Sequence, residues 1–150
     1  MGFFTDIPIR SNGGIIEASW FNTLRTKLIG FFGEGAIEQT EQIINNNEGT
    51  PTNITALVFD GASYSGVDID YEIYREDANP EYRLEKGTLS LYYKNSTWFL
   101  DYGSTAGEDS GVSLTIATVA GVGTVKYTSD NMAGGSYTGT INFKARTFQQ

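Results

Sequence analysis

The sequence predicts a mainly β fold: an antiparallel β-sandwich or jelly-roll-like domain preceded by a short N-terminal amphipathic helix. Three observations predict it. Helical periodicity occurs once, near the start, and does not return after Gly35. Beyond that point come short runs rich in Val, Ile, Tyr, Phe and Thr, broken by Gly, Asn and Asp, as expected of many short strands in a two-sheet domain. The run 67–75 alternates strictly, with Val67, Ile69, Tyr71 and Ile73 on one side and Asp68, Asp70, Glu72 and Tyr74 on the other. Such a strand has one face in a core and one in water.

Taken in order, Asn12-Gly13-Gly14 is a turn, because asparagine and glycine tolerate positive φ. Ser19 is placed to cap a helix running from Trp20 to about Ile29. Trp20, Phe21, Leu24 and Leu28 make its apolar face, Asn22, Arg25 and Thr26 lie opposite, and Gly30 and Gly33 end it around Phe31-Phe32. Three turns do not persist alone in water, so this helix must dock on something. A polar loop, Asn45-Asn46-Asn47-Glu48-Gly49-Thr50-Pro51, follows the first predicted strand. Strands are predicted near 37–44, 54–59, 67–75, 82–93, 97–102, 112–118, 122–128 and 137–147. Asp77-Ala78-Asn79-Pro80 and Ala120-Gly121 supply hairpin turns. The stretches 102–111 and 129–136 are rich in small residues and read as long exposed loops, where a rigid scaffold presents its binding surfaces. Residues 1–35 are thus expected to form an attachment or assembly segment, and residues 36–150 the β-sandwich domain.

The bulk composition narrows the function. At 150 residues and 39% hydrophobic content the chain suits one domain with its own core. With no cysteine, disulfides and thiolate zinc sites are absent. With no histidine, the commonest general base and metal ligand is missing too. No catalytic residue, cofactor or metal is therefore predicted, and the chain is not expected to be an enzyme. A net charge of −8 and a pI near 4.4 repel phosphate backbones, so no nucleic-acid partner is expected. Arg10, Arg25 and Lys27 against Asp6 and Glu17 leave residues 1–30 at +1, so the remainder carries −9. That asymmetry points to two roles, although solvation alone also accounts for an acidic body. Mean hydropathy is −0.26, and no apolar run reaches the roughly 20 residues of a membrane helix, so no membrane insertion is expected. Met1-Gly2-Phe3-Phe4-Thr5-Asp6 has neither the basic nor the apolar region of a signal peptide, and Asp6 breaks the myristoylation pattern.

Several residue groups invite chemistry. Asp68, Asp70 and Glu72 share one strand face, but a straight ladder cannot wrap a calcium ion; they are expected to face water or pair with a base such as Arg83 on the neighbouring strand. Glu108-Asp109 sits in a glycine-rich stretch without the spaced acidic pattern of a calcium loop. Glu108, Asp109, Asn131 and Met132 are the candidate exposed binding-loop residues. Tyr71, Tyr74, Tyr82, Tyr92, Tyr93, Trp98, Phe99 and Tyr102 cluster in the central hairpins; stacked aromatics grip sugars, but they also pair across strands in cores and interfaces. Nucleophile-elbow, P-loop and dinucleotide fingerprints are absent. Asn53-Ile54-Thr55 and Asn95-Ser96-Thr97 match the glycosylation sequon by chance. Trp20, Phe21, Leu24, Leu28, Phe31 and Phe32 are the candidate assembly or attachment interface. Packing on the chain's own sheet would also hide them, but Gly30, Gly33 and Gly35 separate them from the β region.

One ordered set of segments is similar to a known family. Residues Gly14-Ile15-Ile16-Glu17-Ala18-Ser19-Trp20-Phe21-Asn22-Thr23-Leu24-Arg25 resemble the opening of bacteriophage tail-fibre and tail-associated proteins, and later segments resemble their β domain. These are Ile44-Asn45-Asn46-Asn47, Asn53-Ile54-Thr55-Ala56-Leu57-Val58-Phe59 and Asp70-Tyr71-Glu72-Ile73-Tyr74-Arg75. Glu85-Lys86-Gly87-Thr88-Leu89, Tyr127-Thr128-Ser129-Asp130-Asn131-Met132-Ala133-Gly134 and Tyr137-Thr138-Gly139-Thr140 complete the set. The resemblance implies a non-enzymatic virion structural protein, made in the host cytoplasm and localised to the phage particle. It implies a homotrimer held by its N-terminal part to other tail or capsid proteins, with a host surface glycan as a further partner. It maps no receptor-binding residue. A head fibre or capsid decoration protein is the alternative within virions, and a carbohydrate-binding module using the aromatic hairpins and the loops 103–111 and 129–136 is the alternative outside them.

Overall fold

The computed structural model describes residues 37–79 and 81–150. Along them run β1 (Ile37–Ile43), β2 (Thr52–Asp60), β3 (Tyr64–Glu76), β4 (Tyr82–Lys94), β5 (Thr97–Gly107), β6 (Val112–Val119), β7 (Val122–Ser129) and β8 (Thr138–Gln149). Among the described residues there is no helix. The predicted helix over 20–29, the attachment segment 1–35 and its interface residues lie outside the described residues.

Two antiparallel sheets result, one of five strands in the order β1-β8-β3-β4-β5 and one of three in the order β2-β7-β6. Within the larger sheet, β3, β4 and β5 follow one another through hairpins, and β8 returns to lie beside β3, a Greek-key connection. Two of the hairpins are tight. Asn95 and Ser96 have φ of 52° and 62°, and Ala120 and Gly121 have 50° and 83°. Paired positive φ values belong to the two-residue turn whose twist matches that of its strands.

The alternation seen in the sequence sets the core. Val67, Ile69, Tyr71 and Ile73 of β3 are buried beside Leu89 and Leu91 of β4 and Ile141, Phe143 and Ala145 of β8. They share one cluster with Ile54, Leu57, Phe59, Val112, Leu114, Val125 and Tyr127 of the smaller sheet. Burial of each large apolar side chain contributes about 1.5–3 kcal/mol. Trp98 crosses from β5 to the other sheet: its indole N–H donates to Gly121 O at 3.1 Å, and its ring lies where a Cβ on Gly123 would come within 2.5 Å. Only glycine permits that approach.

Side chains close the two gaps between sheet edges. The Gln42 amide of β1 donates to Asn53 O (3.1 Å) and accepts from Thr55 N (2.8 Å), as a neighbouring strand would. On the other side, the Tyr102 hydroxyl of β5 donates to Leu114 O (2.8 Å) and accepts from Leu114 N (2.6 Å). These four edge groups are thereby bonded by side chains in place of a neighbouring strand.

Two expectations change. The stretch 102–111 is not a long loop, because β5 continues pairing with β4 as far as Gly107 through a bulge between the Gly87 and Leu89 pairings. An edge strand tolerates small polar residues that an interior strand would not. The carboxylate ladder does point outward, but Arg83 is not its partner. Asp68 pairs with Arg146 (2.9 Å) and Glu72 with Lys86 (2.6 Å). Arg83 lies opposite Arg75 in the register, on the other face.

Candidate functional site

The inward parity of β3 continues past Ile73 and places Arg75 in the interior, fully buried. A buried guanidinium is costly unless every donor is used. Arg75 donates five hydrogen bonds: Nε to Tyr137 Oη (3.0 Å), one terminal nitrogen to Ser110 O (2.6 Å) and the Asp130 carboxylate, and the other to Asp130 O (2.6 Å) and Asn46 Oδ1 (3.2 Å). Its guanidinium carbon also lies 5.4 Å from the centroid of the Tyr137 ring.

The partners of Arg75 come from three separate connections, between β1 and β2, β5 and β6, and β7 and β8. Asp130 accepts from Arg83 on its second carboxylate oxygen at 2.9 Å, so one acid bridges two arginines that face each other across β3 and β4, and Arg83 is paired with Glu81 as well (2.7 Å). Burial alone would raise the Asp130 pKa; hydrogen bonds from Arg75 and Arg83 outweigh it and hold the carboxyl below its ordinary value. Glu85 extends the network, accepting from the Ser110 amide (3.0 Å) and hydroxyl (2.7 Å) and from the Tyr71 hydroxyl (2.8 Å). The Asn46 amide clasps both backbone groups of Met132, each at 2.8 Å. Asp77 accepts from Asn79 N (2.9 Å) and Gly134 N (2.7 Å), which ties the β3–β4 connection to the same end. Among the described residues, no buried side-chain nitrogen or oxygen lacks a partner.

Four connections are thus set as one platform. The two candidate loops meet there, since Asp130 N donates to Gly111 O at 2.9 Å and Arg75 bridges Ser110 and Asp130. Glu108, Asp109 and Asn131 are exposed on it. Met132 is not: it is buried, because its backbone is held by Asn46 and its apolar side chain turns inward. Asp109 accepts from Gly111 N (2.8 Å), shaping its own turn. No group of three or more acidic side chains among the described residues is arranged to hold a metal ion. Asn46, Arg75, Ser110 and Asp130 were not among the candidate residues. The signal for Arg75 lay in the alternation itself, since position 75 shares parity with Ile73.

The aromatic cluster divides. Tyr71 and Trp98 are in the core, whereas Tyr82, Tyr92, Phe99 and Tyr102 are exposed. At the end opposite Arg75, a cleft of about 570 Å³ lies between the hairpin turns, lined by Tyr93, Ser96, Thr97, Trp98, Thr118 and Gly121 among others.

No family model matches the sequence, and no curated protein matches it either. Among solved structures, the chain is similar to the tailspike protein of Acinetobacter phage vB_ApiP_P1, with 17% identity and a TM-score of 0.44 over 74% of this chain and 21% of that one. It is also similar to the tailspike protein of Acinetobacter baumannii phage AM24, with 11% identity and a TM-score of 0.40 over 77% of this chain and 27% of that one. The chain therefore spans about a quarter of the tailspikes' length. Likenesses of this size assign neither a family nor an activity.

Proposed function

We propose that the chain is a non-enzymatic structural protein of a phage virion, a tail fibre or tail-attached protein. It docks through residues 1–35, using Trp20, Phe21, Leu24, Leu28, Phe31 and Phe32, and projects or assembles through its β domain, as a homotrimer. One observation carries this reading. The segments that resemble phage tail proteins contribute Asn46, Arg75, Glu85, Asp130 and Tyr137 to a single network. They are distant in sequence and share one physical task, fixing the loops at one end of the domain.

Immunogold labelling of purified particles of the encoding phage tests it. Gold on the tail is the expected result. Gold on the head would move the protein to the capsid-decoration alternative, and particles without label would overturn a virion role. In the same particles, a full-length variant with Trp20, Phe21, Leu24 and Leu28 changed to serine is expected to be missing while its β domain stays folded by circular dichroism. Retention of that variant would remove the docking role of this segment.

A further inference from the structure

The outer face of the three-stranded sheet is nearly free of charge. Alternation turns Gly123, Val125 and Tyr127 of β7 inward, where they are buried, and leaves Val122, Thr124 and Lys126 outward. The register sets Asp60, Val122 and Val119 in one row across β2, β7 and β6, then Val58, Thr124 and Ala117 in the next. Asn53, Lys126 and Thr115 make a third row. Val119 and Val58 are 75% and 47% exposed. In these rows only Asp60 and Lys126 are charged, and neither is in an ion pair among the described residues. Asp60 accepts from Ala62 N (2.9 Å) on one carboxylate oxygen, which leaves the second for another donor. The outer face of the larger sheet is built differently: Asp68–Arg146 and Glu72–Lys86 pair across it, beside Asp70 and Lys144.

We propose that this face docks on the same face of a second copy of the chain, about a two-fold axis running across the strands through the Val58–Thr124–Ala117 row. The two charges choose the axis. An axis along β7 would lay Lys126 on its own counterpart. An axis across the strands at the middle row exchanges the two outer rows, so Lys126 of each copy comes opposite the row that holds Asp60 in the other, and the pair forms twice. Two packed faces lie about 10 Å apart, with Asp60 one strand, about 4.8 Å, to the side, a span that the lysine stem bridges. In the middle row valine meets valine and threonine meets threonine, and a hydroxyl both donates and accepts, so it suits its own counterpart. The occupant is a copy of this chain because the face carries both charges of its own complement. Three strands by three rows cover roughly 300 Å² a side, less than half of the roughly 800 Å² of a standard interface. The contact is therefore weak, and holds where copies are already kept close. It goes beyond the virion reading, pairing whatever number of copies the N-terminal segment gathers, and stands or falls apart from it.

Sedimentation equilibrium of the full chain at rising concentration tests it. The mass is expected to double, from monomer to dimer or from trimer to hexamer, by about 1 mM, the range of effective concentrations for tethered copies. Val58→Asp and Lys126→Asp should each weaken the doubling by roughly tenfold, about 1.4 kcal/mol. Lys144→Asp makes the same charge change on the outer face of the larger sheet and should leave the doubling as it was. Lys126→Asp combined with Asp60→Lys exchanges the two charges and should restore it. None of these side chains is in the core, and a thermal melt of each variant confirms folding. Should the exchanged variant melt early, Val58→Asp set against Lys144→Asp decides alone. A mass that stays constant to about 1 mM would overturn the proposal, as would doubling that survives Val58→Asp. Equal weakening by Lys144→Asp would do the same, as would a folded exchanged variant no stronger than Lys126→Asp. Gold labelling of particles decides the virion reading and is indifferent to this contact.

Discussion

Arg75 donates to both the carboxylate and the main-chain carbonyl of Asp130, so a single buried cation fixes the position and the orientation of the β7–β8 connection. Its terminal nitrogens also reach Asn46 and Ser110 in the β1–β2 and β5–β6 connections, and Nε donates to Tyr137 at the far end of the β7–β8 connection.

Arg75→Met is expected to cost about 3 kcal/mol, the lower end for losing one partner of a buried ion pair, because Asp130 is 49% exposed and can hydrate. Arg75→Lys keeps the charge but cannot reach five acceptors, and is expected to fall between wild type and methionine. The urea midpoint measures both, with an unchanged slope showing that the effect lies in stability.

Acid should release the same connection. The folded pKa of Asp130 is depressed, so its contribution is present above the ordinary carboxylate pKa of about 3.9 and is lost as pH falls through the lower folded value. Stability should drop below about pH 4. Asp130→Asn should flatten the part of that drop due to this group, as read from melting temperatures between neutral and acid pH.

Alkali acts through Tyr71. Burial first, then its hydrogen bond to Glu85, raise its pKa above the usual phenol value. The unfolded chain therefore ionises first, and stability present below about pH 10 is lost as pH rises further. Tyr71→Phe is expected to be less stable at neutral pH and to decline less steeply above pH 10 in a denaturant titration.

Tyr102→Phe removes one oxygen that serves both Leu114 N and Leu114 O. A loss of about 1–2 kcal/mol is expected. Amide exchange at Leu114 should accelerate more than at Val125 on the interior strand β7, and equal acceleration at both would mean the hydroxyl does not close that edge.

Most of the fold was legible because strands announce themselves by parity. Each of the eight predicted strands overlaps an observed one, and the Ala120-Gly121 turn was readable from its residues. β5 was cut short because residues 103–107 are small and polar, and only their pairing with Glu85–Gly87 makes them strand. The exposed parts of the candidate loops were legible from composition, but their meeting at Arg75 was not. That depends on which strands become neighbours, and local sequence does not encode it. The assignment of Met132 as exposed failed for a related reason: the clasp from Asn46 comes from 86 residues away.

The position of β8 has a consequence for biosynthesis. Thr138–Gln149 lie between β1 and β3, pairing with both. The larger sheet cannot be assembled in its final order until this stretch has left the ribosome, although β3, β4 and β5 can zip together beforehand. Nascent chains therefore pass through an interval in which Ile69, Tyr71 and Ile73 have no neighbour on that flank, when chaperone engagement would matter most.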